Sequence, residues 1–503
     1  MASLKQLAGQ TLWYGLSSIL ARFIGYLQTP IITYVLQDRA GQAAYGEFSM
    51  LYAGISLLNI VFTYGMETAF FRFSASGQDD QQLFRTSFSS LLISTVGLSL
   101  FFIALRQPLA DFIELGNHPE YITWSVIIIA FDTLSAIPFA RLRHEGRPRK
   151  YAAVRISGIV LNLVLTVFFL YFSNSYALAH PGSAFAIWYN SHSKGGLLLL
   201  PNMAGSILTF LLLYKEWRSF RFRLDRELWL RLWKYGSPMI IVGLGGMINE
   251  TMDRIMLPKL YAGTEQAAKA AVGVYSANYR IAIFISLFVQ AFKMSAEPFF
   301  FRQAAEKNAP ATYARVMKWF VITLCIAFLF TTLYLDIWKH MIPRSYWGGG
   351  GIRVVPILLF ANICLGIYYN LSVWYKITDN TRKGVYITLF GVIITLVINF
   401  AFIPEYGMMA CAWATCICYT AMMVISYFWG QKYFRVPYNV GLLLGYIALT
   451  LCCYGVFSFL SEWVKWLPAR LFIGTILLFT IIFAIAKKER EELKKVPFLG
   501  KYL

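Results

Sequence analysis

The sequence predicts an all-α polytopic membrane protein of about fourteen transmembrane helices: two six-helix bundles related by a pseudo-two-fold axis along the membrane normal, plus a C-terminal helix pair. Three observations lead there. Of 503 residues, 58% are apolar and 14% charged, so too little polar surface exists to cover a soluble globule of this size. Apolar stretches of about 20 residues, the length that crosses a bilayer as a helix, recur along the whole chain. Two segments, starting at Tyr45 and Tyr275, nearly repeat each other.

The repeat is read directly. From Tyr45 the chain runs YGEFSMLYAGISLLNIVFTYGMETAFFRF, and from Tyr275 it runs YSANYRIAIFISLFVQAFKMSAEPFFFRQ. Without a gap, Glu67 falls on Glu297 and Phe70-Phe71-Arg72 on Phe300-Phe301-Arg302. Tyr14-Gly15 and Tyr235-Gly236 correspond ahead of them. Such a duplication marks a transporter with its site between two halves. An even number of helices per copy makes both copies run the same way through the membrane.

The apolar stretches fall near 11–36, 44–67, 84–105, 120–140, 151–172, 196–214 and 232–258 in the first half of the chain, and near 268–292, 314–336, 352–375, 384–404, 406–429, 437–460 and 468–486 in the second. They divide into a first bundle over 1–220, a second over 221–430 that repeats it, and a helix pair with a basic tail over 431–503. The longest loops, 173–195 outside and 215–231 inside, are too short to fold alone, so the chemistry belongs to the helices and their mouths. The run Gly348 to Gly351 lacks the Lys-Ser/Thr ending of a phosphate-binding loop and reads as a flexible connector.

The net charge of +20 does not point to nucleic acid. With the N-terminus placed inside, most Lys and Arg lie on cytoplasmic segments, as membrane topology requires. The densest groups are Arg141, Arg143, Arg147, Arg149 and Lys150; Arg218, Arg221, Arg223 and Arg226; and Lys487, Lys488, Arg490, Lys494 and Lys495. They read as topology and contact with anionic headgroups. Both termini are expected on the cytoplasmic side, with no removable signal peptide.

A charge at the centre of a spanning helix costs about 2.5–3.5 kcal/mol on insertion scales, so each one needs a partner, a wet cavity or a function. Arg22 is central in the first span and has no carboxylate in its own helix. Asn249, Glu250 and Asp253 line one stripe of the seventh span, with Arg254 adjacent. Arg280, Gln290, Lys293 and Glu297 follow on the eighth, and Asn59 and Glu67 on its first-half counterpart. Asp132 is the acid near the middle of the fourth span. Arg22, Arg280, Lys293, Asn249, Gln290 and Asn59 are read as substrate contacts. Glu250, Asp253, Arg254 and Asp132 are ion-coupling residues or a cavity ion pair, and Glu67 and Glu297 form a cytoplasmic gate. Beside this stands a structural reading: Asp253 with Arg254 or Arg280, Glu67 with Arg72 and Glu297 with Arg302 as ion pairs that lock helices.

Catalytic and redox chemistry find few parts. The five histidines (His118, His144, His180, His192, His340) fall in loops without clustering, so no metal site and no cofactor is expected. All seven cysteines lie in apolar spans of the second half and read as packing residues. No nucleotide-binding loop occurs, so any uphill transport is driven by an ion gradient, with H+ or Na+ the candidates, by the membrane potential, or by consumption of the product.

The segments YGMETAFFRF (64–73), Asp253-Arg254 followed by Tyr275 and Arg280, AFKMSAEPFFFR (291–302) and WYKITDNTRKG (374–384) carry a resemblance over essentially the whole chain. It is to the polysaccharide transporter family, the lipid-linked oligosaccharide or O-antigen flippases, of the multidrug/oligosaccharidyl-lipid/polysaccharide exporter superfamily. The resemblance implies two six-helix bundles around a V-shaped cavity, and a flippase that carries a polyprenyl-diphosphate-linked oligosaccharide from the inner to the outer leaflet. The final helix pair looks like the extra pair of the lipid II flippase branch. That branch places several arginines in the first bundle's cavity, whereas here Arg22 is the one found in that bundle's membrane interior, which favours an exported glycan precursor for lipopolysaccharide or exopolysaccharide over the cell-wall precursor. The alternatives are a cation-coupled multidrug exporter, a lipid II flippase and, from another class, a membrane glycan polymerase or ligase. The expected partners are the lipid-linked glycan and membrane lipids.

Overall fold

The computed structural model describes residues 23–494, apart from 76–77, 219, 304–305, 307 and 379. Among the described residues there is no strand, and twelve helices are long and apolar enough to cross a membrane. In chain order the long helices are α1 (23–35), α2 (Arg39–Thr63), α3 (Asp80–Ala104), α4 (Glu120–His144), α5 (Pro148–Ala179), α6 (Lys194–Leu212) and α7 (Arg226–Leu260). They continue with α8 (Glu265–Gln303), α9 (Ala309–Leu333), α10 (Val354–Ile377), α11 (Thr381–Tyr406), α12 (Met408–Tyr433), α13 (Val440–Trp463) and α14 (Leu467–Lys488). Two of the expected fourteen spans stand outside the twelve. The first, 11–36, is described only from residue 23; the seventh is α7, which is long enough but not apolar enough to count among the twelve. The chain is an all-α polytopic membrane protein.

Capping fixes several starts. Asp38, Asp79, Asp225 and Asn439 each accept a hydrogen bond from the backbone N–H three residues on, at 3.0, 2.6, 3.0 and 3.1 Å, which satisfies one of the free donors of a first helical turn. The expected outer loop 173–195 is largely helical: α5 runs to Ala179 and a short helix, Ala184–Asn190, follows. Ser183 caps it, accepting from Ala186 N at 3.1 Å, and Tyr189 donates to the Phe169 carbonyl at 2.8 Å.

The chain divides into two compact units: Met1–Arg280 with Ile342–Val354 and Thr381–Cys418, and Ile281–Met341 with Val355–Asn380 and Tyr419–Leu503. In the first, α3 packs on α4, α5 on α6, and α7 on both α2 and α11. Backbones approach closely where side chains vanish. A Cβ on Gly46 would sit 1.9 Å from the Lys269 carbonyl oxygen, and one on Gly273 would sit 2.0 Å from that of Gln42, so α2 and α8 cross in direct backbone contact. α2 ends where Gly65, with φ +72°, turns the chain against the Gly236 carbonyl of α7.

The glycine run 348–351 is not a loose connector. Asn278 on α8 donates to the Tyr346 carbonyl at 2.8 Å, Tyr346 donates its hydroxyl to the Leu36 carbonyl at 2.6 Å, and Gln42 donates to the Ser345 carbonyl at 2.9 Å. Gly349 and Gly350 hold positive φ, and a Cβ on Gly351 would crowd Asn278 at 2.7 Å. These glycines let a docked segment fold tightly, a role that composition does not distinguish from flexibility.

In the second unit α13 and α14 pack on α9. Glu489, just past α14, accepts from Lys318 at 2.5 Å and Tyr446 at 2.6 Å, and at the other end Tyr334 and Thr475 share a hydrogen bond at 2.7 Å. The helix pair is thus tied to α9 at both ends. Six of the seven cysteines are buried as packing residues, while Cys452 is exposed.

Candidate functional site

A cavity of about 470 Å³ opens among α2, α4, α5 and α6 of the first unit, within the ordinary size range of ligand pockets. Its wall is unusually polar for a bundle of spanning helices. α5 contributes Arg155 and Asn162, α6 contributes Asn202, Ser206 and Thr209, α4 contributes Asp132, and α2 contributes Tyr52, Asn59 and Thr63. α5 and α6 come together through Gly158 and Gly205, where a Cβ on Gly205 would lie 2.8 Å from the Gly158 carbonyl oxygen. That contact sets the polar faces of the two helices side by side.

Asp132 is enclosed by protein yet keeps exposed surface, which it turns to the cavity; Ser206 hydrogen-bonds it, and the Arg155 charge acts on it. Arg155 donates from Nη1 to the Tyr151 hydroxyl at 3.0 Å and forms no ion pair among the described residues. At the mouth, Glu67 pairs with Arg143, whose guanidinium lies 4.6 Å from the Phe71 ring centroid. The expected Glu67–Arg72 pair does not form, since a spacing of five residues puts the two on different faces of a helix. Arg72 lies over Tyr235 instead. The amides form a chain: Gln28 donates to Thr166 at 2.9 Å, and Asn162 donates to Asn202 at 2.8 Å. The Asn59 side-chain oxygen is buried with no partner among the described residues.

The expectation of a single arginine, Arg22, in the first bundle's interior is therefore widened: Arg143 and Arg155 line this cavity. Arg155 escapes a linear reading because it lies near the start of its apolar stretch, where it resembles an interfacial charge. The signal was present in Arg155–Asn162, two turns apart, and in Asn202–Ser206–Thr209 at spacings of four and three.

The other expected residues are distributed. Arg22 lies outside the described residues, as do the side chains of Glu297 and Arg302. Arg280 is half-buried in the first unit, where its charge acts on the Tyr26 and Tyr52 hydroxyls; Tyr52 also feels Asp132 and lines the cavity. Asn249 is buried and holds α11, donating to the Thr388 carbonyl at 3.5 Å and accepting from Thr395 at 3.2 Å. Asp253 accepts from the Tyr275 hydroxyl at 2.6 Å and pairs with Arg254 at 3.4 Å. Arg254 also donates to the Glu250 carbonyl at 2.7 Å and lies over the Tyr279 ring at 4.4 Å. The Glu250 side chain is exposed. In the second unit Lys293 lies over the Tyr369 ring at 4.6 Å and Gln290 is half-buried.

Two further readings change. His118 and His192 are not isolated: both approach Glu120 Oε1, at 2.8 and 3.6 Å. No group of three potential metal ligands suited to an ion occurs among the described residues. The basic cluster 141–150 is also more than a headgroup contact. Lys150 and Arg147 reach the buried Glu216 carboxylate at 2.6 and 3.1 Å, and Arg141 donates to its carbonyl at 3.1 Å. Beside them, burial acts to raise the Glu145 pKa, but hydrogen bonds from Arg141 and Arg147 outweigh it and hold the carboxyl below its ordinary range.

Several solved structures share this fold. A lipid II flippase, MurJ, in an inward closed conformation aligns with TM-score 0.72 and 12% identity over 94% of this chain and 99% of its own. An inward-facing multidrug resistance MATE family transporter of the MOP superfamily aligns with TM-score 0.59 and 15% identity, over 84% and 94%. A MOP superfamily transporter from Pyrococcus furiosus gives TM-score 0.58 and 14% identity, over 84% and 95%. No curated protein sequence matches the chain. Residues 7–304 match the family described as polysaccharide biosynthesis protein, more than half of the chain, and the protein belongs to that family.

Proposed function

We propose that the protein is a flippase that moves a polyprenyl-diphosphate-linked oligosaccharide, a surface-polysaccharide repeat unit, from the inner to the outer leaflet of a bacterial cytoplasmic membrane by alternating access. The observation that carries this reading is Arg155, a guanidinium facing a polar cavity with no carboxylate bound to it among the described residues. A diphosphate carries about two negative charges, and guanidinium groups replace its hydration by paired hydrogen bonds that an ammonium does not reproduce. The cavity's amides and hydroxyls suit sugar hydroxyls, and a lipid tail has no need to leave the bilayer.

In this scheme Arg155 and Arg143 join Arg22 and Arg280 as headgroup contacts. Asn59 and Gln290 serve the glycan, Lys293 draws the headgroup in, and Asn249 acts through its hold on α11. Asp253, Glu250, Arg254 and Asp132 couple the cycle to H+ or Na+, and Glu67 and Glu297 gate the cytoplasmic mouth. The division into repeats at 1–220 and 221–430, with a final pair over 431–503, belongs to the same proposal.

The test is flipping of a purified lipid-linked oligosaccharide in vesicles holding the protein, read by exposure of the glycan to an impermeant glycosidase. Failure to flip with wild-type protein at normal incorporation overturns the reading. A second reading, a cation-coupled multidrug exporter, draws on Asp132 and Glu67 in the same cavity, which suit a cationic drug. Uptake of such a drug into the same vesicles, with no glycan flipping, would favour it. Flipping of lipid II in place of the oligosaccharide would favour the cell-wall substrate.

A further inference from the structure

A second cavity, of about 200 Å³, lies apart from the first, among the short helix Met66–Ala75 and the ends of α3 and α4. Arg85 lines it from α3, Arg141 and His144 from α4, and Phe70 and Phe84 supply its apolar floor. Every other charge around it is engaged. Asp80 and Ser74 hold His144 at 3.2 and 2.9 Å, Glu145 is held by Arg141 and Arg147 at 2.7 and 3.0 Å, and Arg141 is also stacked over Phe84 at 4.9 Å.

Arg85 differs. It is half-buried, its Nε is fully buried, and it has no hydrogen-bond or ion-pair partner among the described residues. Of the charged residues that line it, Asp80 is held by His144 and Ser74, and Glu145 and Arg141 hold each other, which leaves Arg85 as the one without a partner among the described residues. A guanidinium left without a partner in a protein wall is costly, and the fork geometry of the group suits a phosphate.

We propose that this cavity is a phosphate-binding site centred on Arg85, distinct from the transport cavity, that takes the phosphate of an anionic membrane lipid or a free phosphate from solution. Bound there, the group neutralises Arg85 and joins α3 to α4 at the bundle end where Arg141 and Glu145 are held. The site does not depend on which substrate is flipped.

The test uses the full chain purified in detergent. Phosphatidylglycerol, phosphatidylcholine and inorganic phosphate are added separately, and thermal stabilisation and lipid retention by native mass spectrometry are recorded. The expected result is stabilisation by phosphatidylglycerol, inorganic phosphate or both, weakened about tenfold in apparent affinity by Arg85→Gln, as loss of a charge-assisted hydrogen-bond pair implies. Lys465→Gln, which removes an exposed cation outside both cavities, retains it. A response to phosphatidylglycerol alone identifies the lipid as the source; a response to inorganic phosphate as well identifies the bare group. If Arg85→Gln does not fold, Arg85→Lys, which keeps the charge without the planar fork, serves in its place and is expected to weaken binding by a smaller factor. No response to any anion, or an equal response in wild type and variants, overturns the proposal.

Discussion

Tyr275 donates its hydroxyl to Asp253 at 2.6 Å, whereas Tyr45, its counterpart in the first repeat, packs edge-on against Tyr346 with ring centroids 6.3 Å apart. Two tyrosines that superpose in sequence thus do different work: one anchors a buried acid, the other seats a docked loop. Tyr275→Phe should remove the hydroxyl bond and lower stability by about 1–2 kcal/mol, the scale of hydrogen bonds between membrane helices. Thermal unfolding in detergent measures it, and Tyr45→Phe should change little by comparison. If Asp253 also serves coupling, Asp253→Asn should flatten the dependence of flipping on an imposed proton or sodium gradient.

Arg155→Ala should reduce flipping by about tenfold or more at normal protein levels, and Arg155→Lys should recover part of it, because an ammonium keeps the charge and loses the fork. The vesicle assay reads this directly. Unchanged rates in Arg155→Ala would remove this residue from the substrate path.

Glu216 is buried against Arg147 and Lys150. Removing the charge with Glu216→Gln leaves both cations facing a neutral amide. The expected cost is about 3 kcal/mol or more, as for a broken buried ion pair. The readout is a drop in the midpoint of thermal unfolding and in yield, with Glu491→Gln, an exposed acid, as the neutral control.

Glu145 predicts a pH dependence. Its folded pKa lies below the ordinary 4.5, so its carboxylate contributes stability above that value, and the contribution is lost as pH falls through the folded pKa. Thermal stability should therefore decline as the solution is acidified below the ordinary glutamate range. Arg147→Gln should reduce that part of the decline, because it removes one of the hydrogen bonds that hold the group ionised. An identical acid profile in the variant would contradict the assignment.

Gly273→Ala would force a methyl group to within 2.0 Å of the Gln42 carbonyl oxygen. Overpacking of this kind costs about 1–3 kcal/mol and displaces backbone. Cysteines placed on α2 and α8 next to this crossing should cross-link less readily in Gly273→Ala than in the parent. An undiminished yield would mean that the two helices do not rely on this contact.

By itself the sequence determined that the chain is a membrane-spanning helical protein and showed two segments that nearly repeat each other, because apolar length and self-similarity are one-dimensional properties. α4, α9, α11 and α14 lie close to the stretches read from hydropathy alone. The family was legible for the same reason, in short segments such as YGMETAFFRF. What tertiary structure decided is which polar groups meet. Asp132 and Arg155 sit on neighbouring helices, and Glu216 gathers cations from more than sixty positions earlier; neither relation has any local trace. Arg155 drew no reading from the sequence because hydropathy reports depth along one helix and not the direction a side chain points. Asn249 looked like a glycan contact and is held by α11, since a polar stripe can face a neighbouring helix as well as a cavity. The glycines at 348–351 looked loose, although an absent side chain permits close packing as readily as freedom, and only the partners at Asn278 and Leu36 distinguish the two.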